Sequence, residues 1–381
     1  MCHDQADAFA TESQAFENSS TREAYDAAIR AASTVAEPAQ AFTLPNDPAH
    51  NTRVIIGPFK DCYHTASGRT SQVYRADTLA LKVITETRNI EPHNPAREIR
   101  ILRLLSHPSI IELLDVEEDN EKRPILVFPY MPIDLASVLS GPHQFHRNSV
   151  NAIFESIFAA LAYLHERGII HRDVKPSNIL LSRAPDRESS TSGYQVKLID
   201  YGTAWHPELS SSSEPAAHKV LEVGTTCYRA PETLFGDRSY GPSVDIWATG
   251  CLLVECLRHP SKSLFESRGT EEDGNQLGLI LSIFKTIGTP TKSSWPEAVH
   301  FSTPPFEWYQ SFPGHSWDDL LPNVEDNMKT LVASLVRYES GQRLPAARVS
   351  ISKPQLNSTA ADTIIKAVEY LRTLIAKGGC D

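Results

Sequence analysis

The sequence predicts an α+β fold, and three observations carry that expectation. Short runs of β-formers, Arg53-Val54-Ile55-Ile56-Gly57, Gln72-Val73-Tyr74-Arg75-Ala76 and Leu79-Ala80-Leu81-Lys82-Val83-Ile84, follow closely and read as antiparallel strands. Helical periodicity appears at 94–102 and again at 149–167, where Ile153, Ile157, Phe158, Leu161 and Leu164 share one face. After that second helix, His171-Arg172-Asp173-Val174-Lys175-Pro176-Ser177-Asn178-Ile179-Leu180 sets a carboxylate, an ammonium and a side-chain amide at intervals of two and three. A base, a phosphate contact and a metal ligand then share one tight loop.

That spacing matches the protein-kinase catalytic loop H-R-D-x-K-x-x-N, in which the Asp accepts the substrate hydroxyl proton and the Asn holds Mg²⁺. Turns favour Asp, Pro and Asn in any fold, so one loop alone is weak evidence. Two further motifs follow in order. Val196-Lys197-Leu198-Ile199-Asp200-Tyr201-Gly202 reads as a strand ending in a D-F-G-like metal site, and Arg229-Ala230-Pro231-Glu232 as the A-P-E end of an activation segment. Together they identify a bilobal protein kinase fold, with a small β-rich N-lobe carrying one key helix and a large, mainly helical C-lobe. The expected organisation is a mostly disordered extension over 1–52, N-lobe and hinge over 53–131, C-lobe over 132–350, and a tail over 351–381. Helices are expected at 21–32 and 360–376.

Composition narrows the function. The chain has 381 residues and a net charge of -11, with a pI of about 5.7, so the basic footprint of a nucleic-acid binder is missing. Six cysteines occur without a C-x-x-C pair, as expected of free thiols in a reducing compartment. The first residues lack the basic start and apolar core of a signal peptide, and no apolar run approaches the length of a membrane span. Neither nucleic acid nor membrane is expected as a partner, and the expected location is cytoplasmic, nuclear or both.

The nucleotide-binding residues follow from the motif order. Residues 65–73 fall on the glycine-rich phosphate loop, but only Gly68 survives; Ala66 and Ser71 replace the outer glycines. Those substitutions should loosen, not abolish, the approach of backbone N–H groups to phosphate. Lys82 stands where the strand lysine contacts the α- and β-phosphates, with Glu98 as its ion-pair partner. Asn94 caps the helix carrying Glu98, Pro95 suits its first turn, and Ile99, Ile101, Leu102 and Leu105 form its buried stripe. The adenine ring is expected against the hinge backbone at Met131, with Phe128 behind it. Val73 and Ala80 lie above the ring and Leu180 below, and Asp134 completes the nucleotide site. Asn178 and Asp200 are expected to hold Mg²⁺. Asp173, Lys175 and Thr225 join Asn178 as the catalytic group.

With these residues in view, the chain resembles the cyclin-dependent kinase branch of the CMGC group. The marks are Ala96-Arg97-Glu98-Ile99, Leu126-Val127-Phe128, Cys227-Tyr228-Arg229-Ala230-Pro231-Glu232, Ser243-Val244-Asp245-Ile246-Trp247, and Phe284-Lys285-Thr286-Ile287-Gly288-Thr289-Pro290 followed by Trp295-Pro296. Lys175 with Thr225 matches serine/threonine kinases. The resemblance also implies an Arg343–Glu232 salt bridge, and Tyr201 stacked in a column with Leu102, Leu113 and His171, its hydroxyl needing a partner if buried.

The departures from that branch matter more. Its activating threonine falls on Val220, and the third of its phosphate-gathering arginines falls on Trp205, with Arg97 and Arg172 retained. In the helix that faces the cyclin, the apolar residue before the arginine has shrunk to Ala96, and Pro95 makes the helix start late. In these respects the chain is similar to single-subunit CDK-activating kinases. That likeness implies MgATP-dependent transfer to the activation-loop threonine of cyclin-dependent kinases, by a monomer needing no cyclin. A cyclin-requiring kinase and, because of the eroded phosphate loop, a pseudokinase scaffold are the alternatives. Arg229 beside Gly224 leaves preference for a following proline open. The run Ser210-Ser211-Ser212-Ser213 is expected to be a flexible loop.

Overall fold

The computed structural model describes residues 53–141, 147–183, 195–266, 276–306 and 310–350. The helices expected at 21–32 and 360–376, and most of the hydrophilic insertion expected at 182–193, lie outside them.

The N-lobe is an antiparallel sheet of β1 (Val54–Ile56), β2 (Phe59–Ser67), β3 (Ser71–Ala76), β4 (Leu79–Ile84), β5 (Asp115–Glu118) and β6 (Pro124–Pro129), in the order β1-β2-β3-β4-β6-β5. Register decides what each face carries. Val73 pairs with Lys82, and Ala80 with Phe128. Directly opposed residues share a face and side chains alternate along a strand, so Val73, Ala80, Lys82 and Phe128 all point to one side. The other side carries Leu81, Val83, Ile125 and Val127, which close with Cys62 and Ala76 into a separate small core. β2 was not expected as a strand. Of its nine residues only Cys62 is buried, so it shows no apolar alternation to read.

Helix α1 (Pro95–Leu104) starts where expected: Asn94 Oδ1 accepts the Arg97 backbone N–H at 2.9 Å, and Pro95 occupies the first turn. Its buried face differs from the predicted stripe. Arg97, Glu98, Ile101 and Leu102 are buried within the helix and Ile99 only half so. Two charged residues inside the lobe require partners, and these are found at the site below.

The C-lobe begins with β7 (Ile133–Asp134), α2 (Leu135–Leu139) and α3 (Arg147–His165), and continues through β8 (Ile179–Leu181) and β9 (Val196–Leu198). Strands β7, β8 and β9 form a second, three-stranded sheet in that order. Then follow α4 (Pro231–Leu234), α5 (Ser243–Leu257), α6 (Gln276–Ile287), α7 (Trp317–Leu320), α8 (Asp326–Leu335) and α9 (Ala346–Ser350). Every residue of α5 from Val244 to Val254 is buried, as befits a helix apolar on nearly all sides. Gly250 lets α8 come close, since a Cβ there would stand 2.7 Å from Val336 Cγ2 and 2.9 Å from Leu335 Cβ. One continuous core runs from Ile84 and Ile101 in the N-lobe through Phe154, Leu161 and Trp247. The two lobes are therefore packed on each other around the cleft. No described helix is long and apolar enough to cross a membrane.

Candidate active site

Three segments bring the site together, and each is held by identifiable contacts. The first is the loop after α3. Gly168, at φ +70°, ends the helix as predicted, and the chain turns back along Ile170, which bridges to Trp205. Asp245, deep in α5, then anchors the loop: its carboxylate accepts the backbone N–H groups of His171 and Arg172 at 2.9 and 2.8 Å. His165 Nε2 lies 2.9 Å from the same carboxylate. Burial alone would raise the Asp245 carboxyl; the bond from His165 and the nearby imidazoles outweigh it and keep it ionised. Arg172 sits at φ +69°, a region unfavourable for a side-chain-bearing residue by roughly 1–2 kcal/mol, and these bonds hold it there.

Downstream of that anchor the predicted catalytic residues converge. Asn178 Nδ2 donates to the Asp173 carbonyl at 2.8 Å and to its Oδ2 at 3.1 Å, closing the loop on itself. Lys175 Nζ lies 2.9 Å from Asp173 Oδ2 and donates to Thr225 Oγ1 at 3.0 Å. Thr225 Oγ1 in turn donates to Asp173 Oδ1 at 2.6 Å. Asp173, Lys175, Asn178 and Thr225 thus form one hydrogen-bonded group.

The second segment is the end of β9. Asp200 follows it at φ +67° and accepts from Lys82 Nζ at 2.8 Å, while Lys82 also donates to Glu98 Oε1 at 2.6 Å. Lys82 and Glu98 are 14% and 4% exposed at the side chain, whereas Asp200 is 41% exposed and opens to the cleft. The charges of the three are coupled. Desolvation would lower the Lys82 ammonium, yet the two carboxylates outweigh it and raise it well above the ordinary lysine value. Burial would raise Asp200, and Lys82 outweighs that, holding it well below the ordinary range. Glu98 is raised, because burial and the nearby Asp200 exceed what Lys82 offsets.

The third segment is the nucleotide side of the sheet. Val73, Ala80 and Phe128 lie on the face that carries Lys82, Met131 follows β6, and Leu180 is half-buried in β8. Ala66 pairs with Val73 across a bulge, and Gly68 N–H donates to Ser71 O at 2.8 Å. A Cβ on Gly68 would meet nothing nearer than Ser71 O at 3.6 Å, so the fold itself makes no demand for glycine there. Asp134 caps α2, its two oxygens accepting from Ser137 N and Oγ, both at 2.8 Å. The structure thus gives its carboxylate a local structural task that the sequence reading did not foresee.

Two further expectations are corrected. Tyr201 stacks edge-on against His171, with centroids 5.0 Å apart, but among the described residues its buried hydroxyl has no hydrogen-bond partner. The serine run is not a free loop. Ser210 is fully buried with its Oγ accepting from His206 N at 3.0 Å, and Ser213 Oγ donates to Glu91 at 2.7 Å. The hydroxyls make turns and side-chain bonds that composition alone conceals. Arg343 and Glu232 do pair, through Nη1–Oε1 at 2.6 Å and Nη2–Oε2 at 2.7 Å.

The comparisons agree with this geometry. Residues 64–353 match the protein kinase domain family. The chain is 33% identical over 294 residues to the serine/threonine-protein kinase csk1 of Schizosaccharomyces pombe, covering 74% of this chain and 89% of that protein. Among solved structures, a chain of the yeast RNA Pol II CTD kinase CTDK-1 complex superposes with a TM-score of 0.60 at 25% identity, covering 81% of this chain and 94% of the other. The chain belongs to the protein kinase family. It is a protein serine/threonine kinase with a cyclin-dependent-kinase-like character.

Protein kinases use ATP with Mg²⁺. The residues present suit that pair: the ionised, partly exposed Asp200 carboxylate and the Asn178 carboxamide both offer hard oxygen donors. Among the described residues no cluster of three or more His, Cys, Asp or Glu could hold a metal. A cation bound by two side chains and completed by phosphate and water is the arrangement expected of Mg²⁺.

Proposed function

We propose that this kinase transfers the γ-phosphoryl of MgATP to the activation-loop threonine of cyclin-dependent kinases, and does so as a single subunit. The observation that carries the reading is that Lys82, Glu98 and Asp200 are already joined within one chain, next to the Asp173–Lys175–Thr225 group. A helix swung out of place would separate Lys82 from Glu98. The joined triad supports the reading that no partner is needed to bring them together.

Under this reading MgATP, when bound, supplies the phosphoryl group, and Asn178 and Asp200 hold the metal. Lys82, fixed by Glu98, positions the α- and β-phosphates. Val73, Ala80, Phe128, Met131 and Leu180 enclose the adenine, and Ala66, Gly68 and Asp134 border the phosphates and ribose. Asp173 Oδ1 orients the incoming hydroxyl and takes its proton; the Thr225 hydroxyl now on that oxygen marks the direction from which it accepts. The substrate oxygen forms the new P–O bond as the β–γ bridge bond breaks, and the electron pair leaves with ADP. Lys175 offsets charge on the moving phosphoryl. Positioning and charge carry the rate. An open cleft lined by Arg69, His93, Val220, Gly224 and Arg229 lies beside this group and suits a protein segment.

Two features support independence from a cyclin and from loop phosphorylation. Val220 stands where the resembling kinases carry their activating threonine, and Ala96, exposed, offers little apolar area for a partner to bury. The second reading is a partner-requiring kinase, favoured by likeness to a chain solved within a CTD kinase complex. A non-catalytic scaffold has no use for the assembled Lys82, Asp173, Asn178 and Asp200.

The test uses the bacterially expressed chain, MgATP and a purified, unphosphorylated cyclin-dependent kinase. Mass spectrometry should find phosphate on the activation-loop threonine of that target. Transfer to a generic basic protein but not to this threonine would remove the substrate reading and leave the enzyme.

A further inference from the structure

The activation segment holds a second charged centre that phosphoryl transfer does not use. Glu214 lies in a hydrophilic stretch where a carboxylate could easily face water, yet it is 1% exposed. A buried carboxylate requires cations and donors. Arg172 Nη1 donates to its Oε1 in a close ion pair. Val220 N–H donates to the same oxygen at 2.8 Å, and Arg97 Nη1 lies 3.8 Å from Oε2. Arg97 belongs to α1, whose Glu98 holds Lys82. Arg172 immediately precedes Asp173. Val220 leads toward Gly224 and Thr225. One carboxylate therefore joins the catalytic loop to the stretch leading to Thr225, with α1 close by through Arg97.

The surroundings engage Oε1 directly, while Oε2 and Arg172 Nη2 have no hydrogen-bond partner among the described residues. Trp205, where the resemblance expects a third arginine, donates its indole N–H to the Glu214 carbonyl at 2.9 Å. Tyr240 Oη accepts from Arg172 at 3.1 Å and donates to the Val220 carbonyl at 2.7 Å. Glu91 takes the remaining charge of Arg97, at 2.8 Å. Two arginines thus meet two carboxylates. An added phosphate, with close to two negative charges, would find both cations already matched.

We propose that Glu214 is the permanent anion of this arginine pocket, ordering the activation segment from within the chain as an attached phosphate would. The proposal rests on the reading that the kinase works without loop phosphorylation, and is independent of which protein it phosphorylates. Glu214 touches no reacting atom and is a positioning residue. Through Arg172 it holds Asp173, and through Val220 it holds the approach to Thr225.

The experiment measures transfer to a generic basic protein, so that failure of the cyclin-dependent kinase as substrate does not affect it. First, the full-length wild type is treated with phosphatase, and mass spectrometry verifies that residues 200–232 carry no phosphate. Its kcat should stay within about twofold, the range of a change that removes no transition-state contact. Second, Glu214→Gln, which keeps shape and removes charge, should lower kcat by about tenfold or more with the KM for ATP within about twofold. Glu214→Asp, which keeps the charge, should recover part of that loss. Loss of activity on phosphatase treatment overturns the proposal, and this arm stands even if Glu214→Gln does not fold. A folded Glu214→Gln at wild-type kcat also overturns it, as does a loss expressed only as a raised KM for ATP.

Discussion

Thr225 Oγ1 donates to Asp173 Oδ1 at 2.6 Å across a separation of 52 residues, joining the activation segment to the catalytic loop. Lys175 donates to the same hydroxyl, so Thr225 → Val leaves a carboxylate oxygen and an ammonium short of one bond each. We expect Thr225→Val to lower kcat by about tenfold, while Thr225→Ser, which keeps the hydroxyl, stays within a few-fold. Thermal stability should move by about 1 kcal/mol or less in either variant. Steady-state kinetics and calorimetry on the two variants check this.

Lys82 links a buried and a half-open carboxylate. Lys82→Met leaves Glu98 buried without its cation, at a cost of about 2–3 kcal/mol, moderated by the exposure of Asp200. Transfer should fall by about a hundredfold or more. Replacing Glu98 by Leu as well should restore stability but not activity. The pH dependence follows from the signs. Asp200 is depressed, so its contribution is present above the unfolded value of about 4 and is lost as pH falls through the folded one. Lys82 is raised, so its contribution is present below about 10 and is lost as pH rises through the folded value. Glu98 is raised and works the other way, costing stability at neutral pH. The difference in Tm between wild type and Lys82→Met should narrow as pH falls, because Asp200 loses its contribution in the wild type while Glu98, raised further without Lys82, takes up a proton in the variant.

Arg343 and Glu232 form a buried bidentate pair, and the guanidinium also stacks over Trp247 with 5.0 Å to the ring centroid. Arg343→Ala should destabilise by about 3–5 kcal/mol. Arg343→Lys should recover little, because an ammonium cannot make the planar two-point contact. Urea midpoints measure both.

Tyr201 buries a hydroxyl that no group of the described residues hydrogen-bonds. Removing it removes an uncompensated desolvation cost, so Tyr201→Phe should stabilise by about 1 kcal/mol. The edge-on contact with His171 survives, and kcat should not change. A destabilised Tyr201→Phe would show that the hydroxyl has a partner in solution.

What the sequence made legible divides along physical lines. Asp173, Lys175, Asn178, Asp200 and Lys82 were legible because their spacing is local or tied to motif order. The cap at Asn94 and the stop at Gly168 were legible because one residue type suits each position. The anchoring role of Asp245 was not, since its partners lie 73 and 74 residues away and a helix residue gives no sign of them. Glu214 was missed because a glutamate after four serines has the composition of a solvated turn; its burial depends on Arg172 and Arg97 meeting in space. β2 was missed because an exposed strand carries no alternation, and Tyr201 because a hydrogen-bond partner was assumed from burial alone.

The most direct measurement is phosphoryl transfer by the isolated chain. The bacterially expressed protein, with MgATP, a basic protein substrate and no cyclin, is compared with Asp173→Asn. The account predicts turnover by the wild type and a loss of about a thousandfold or more in the variant, with ATP binding retained. A wild type that binds ATP but transfers phosphate only after a partner subunit is added would contradict it.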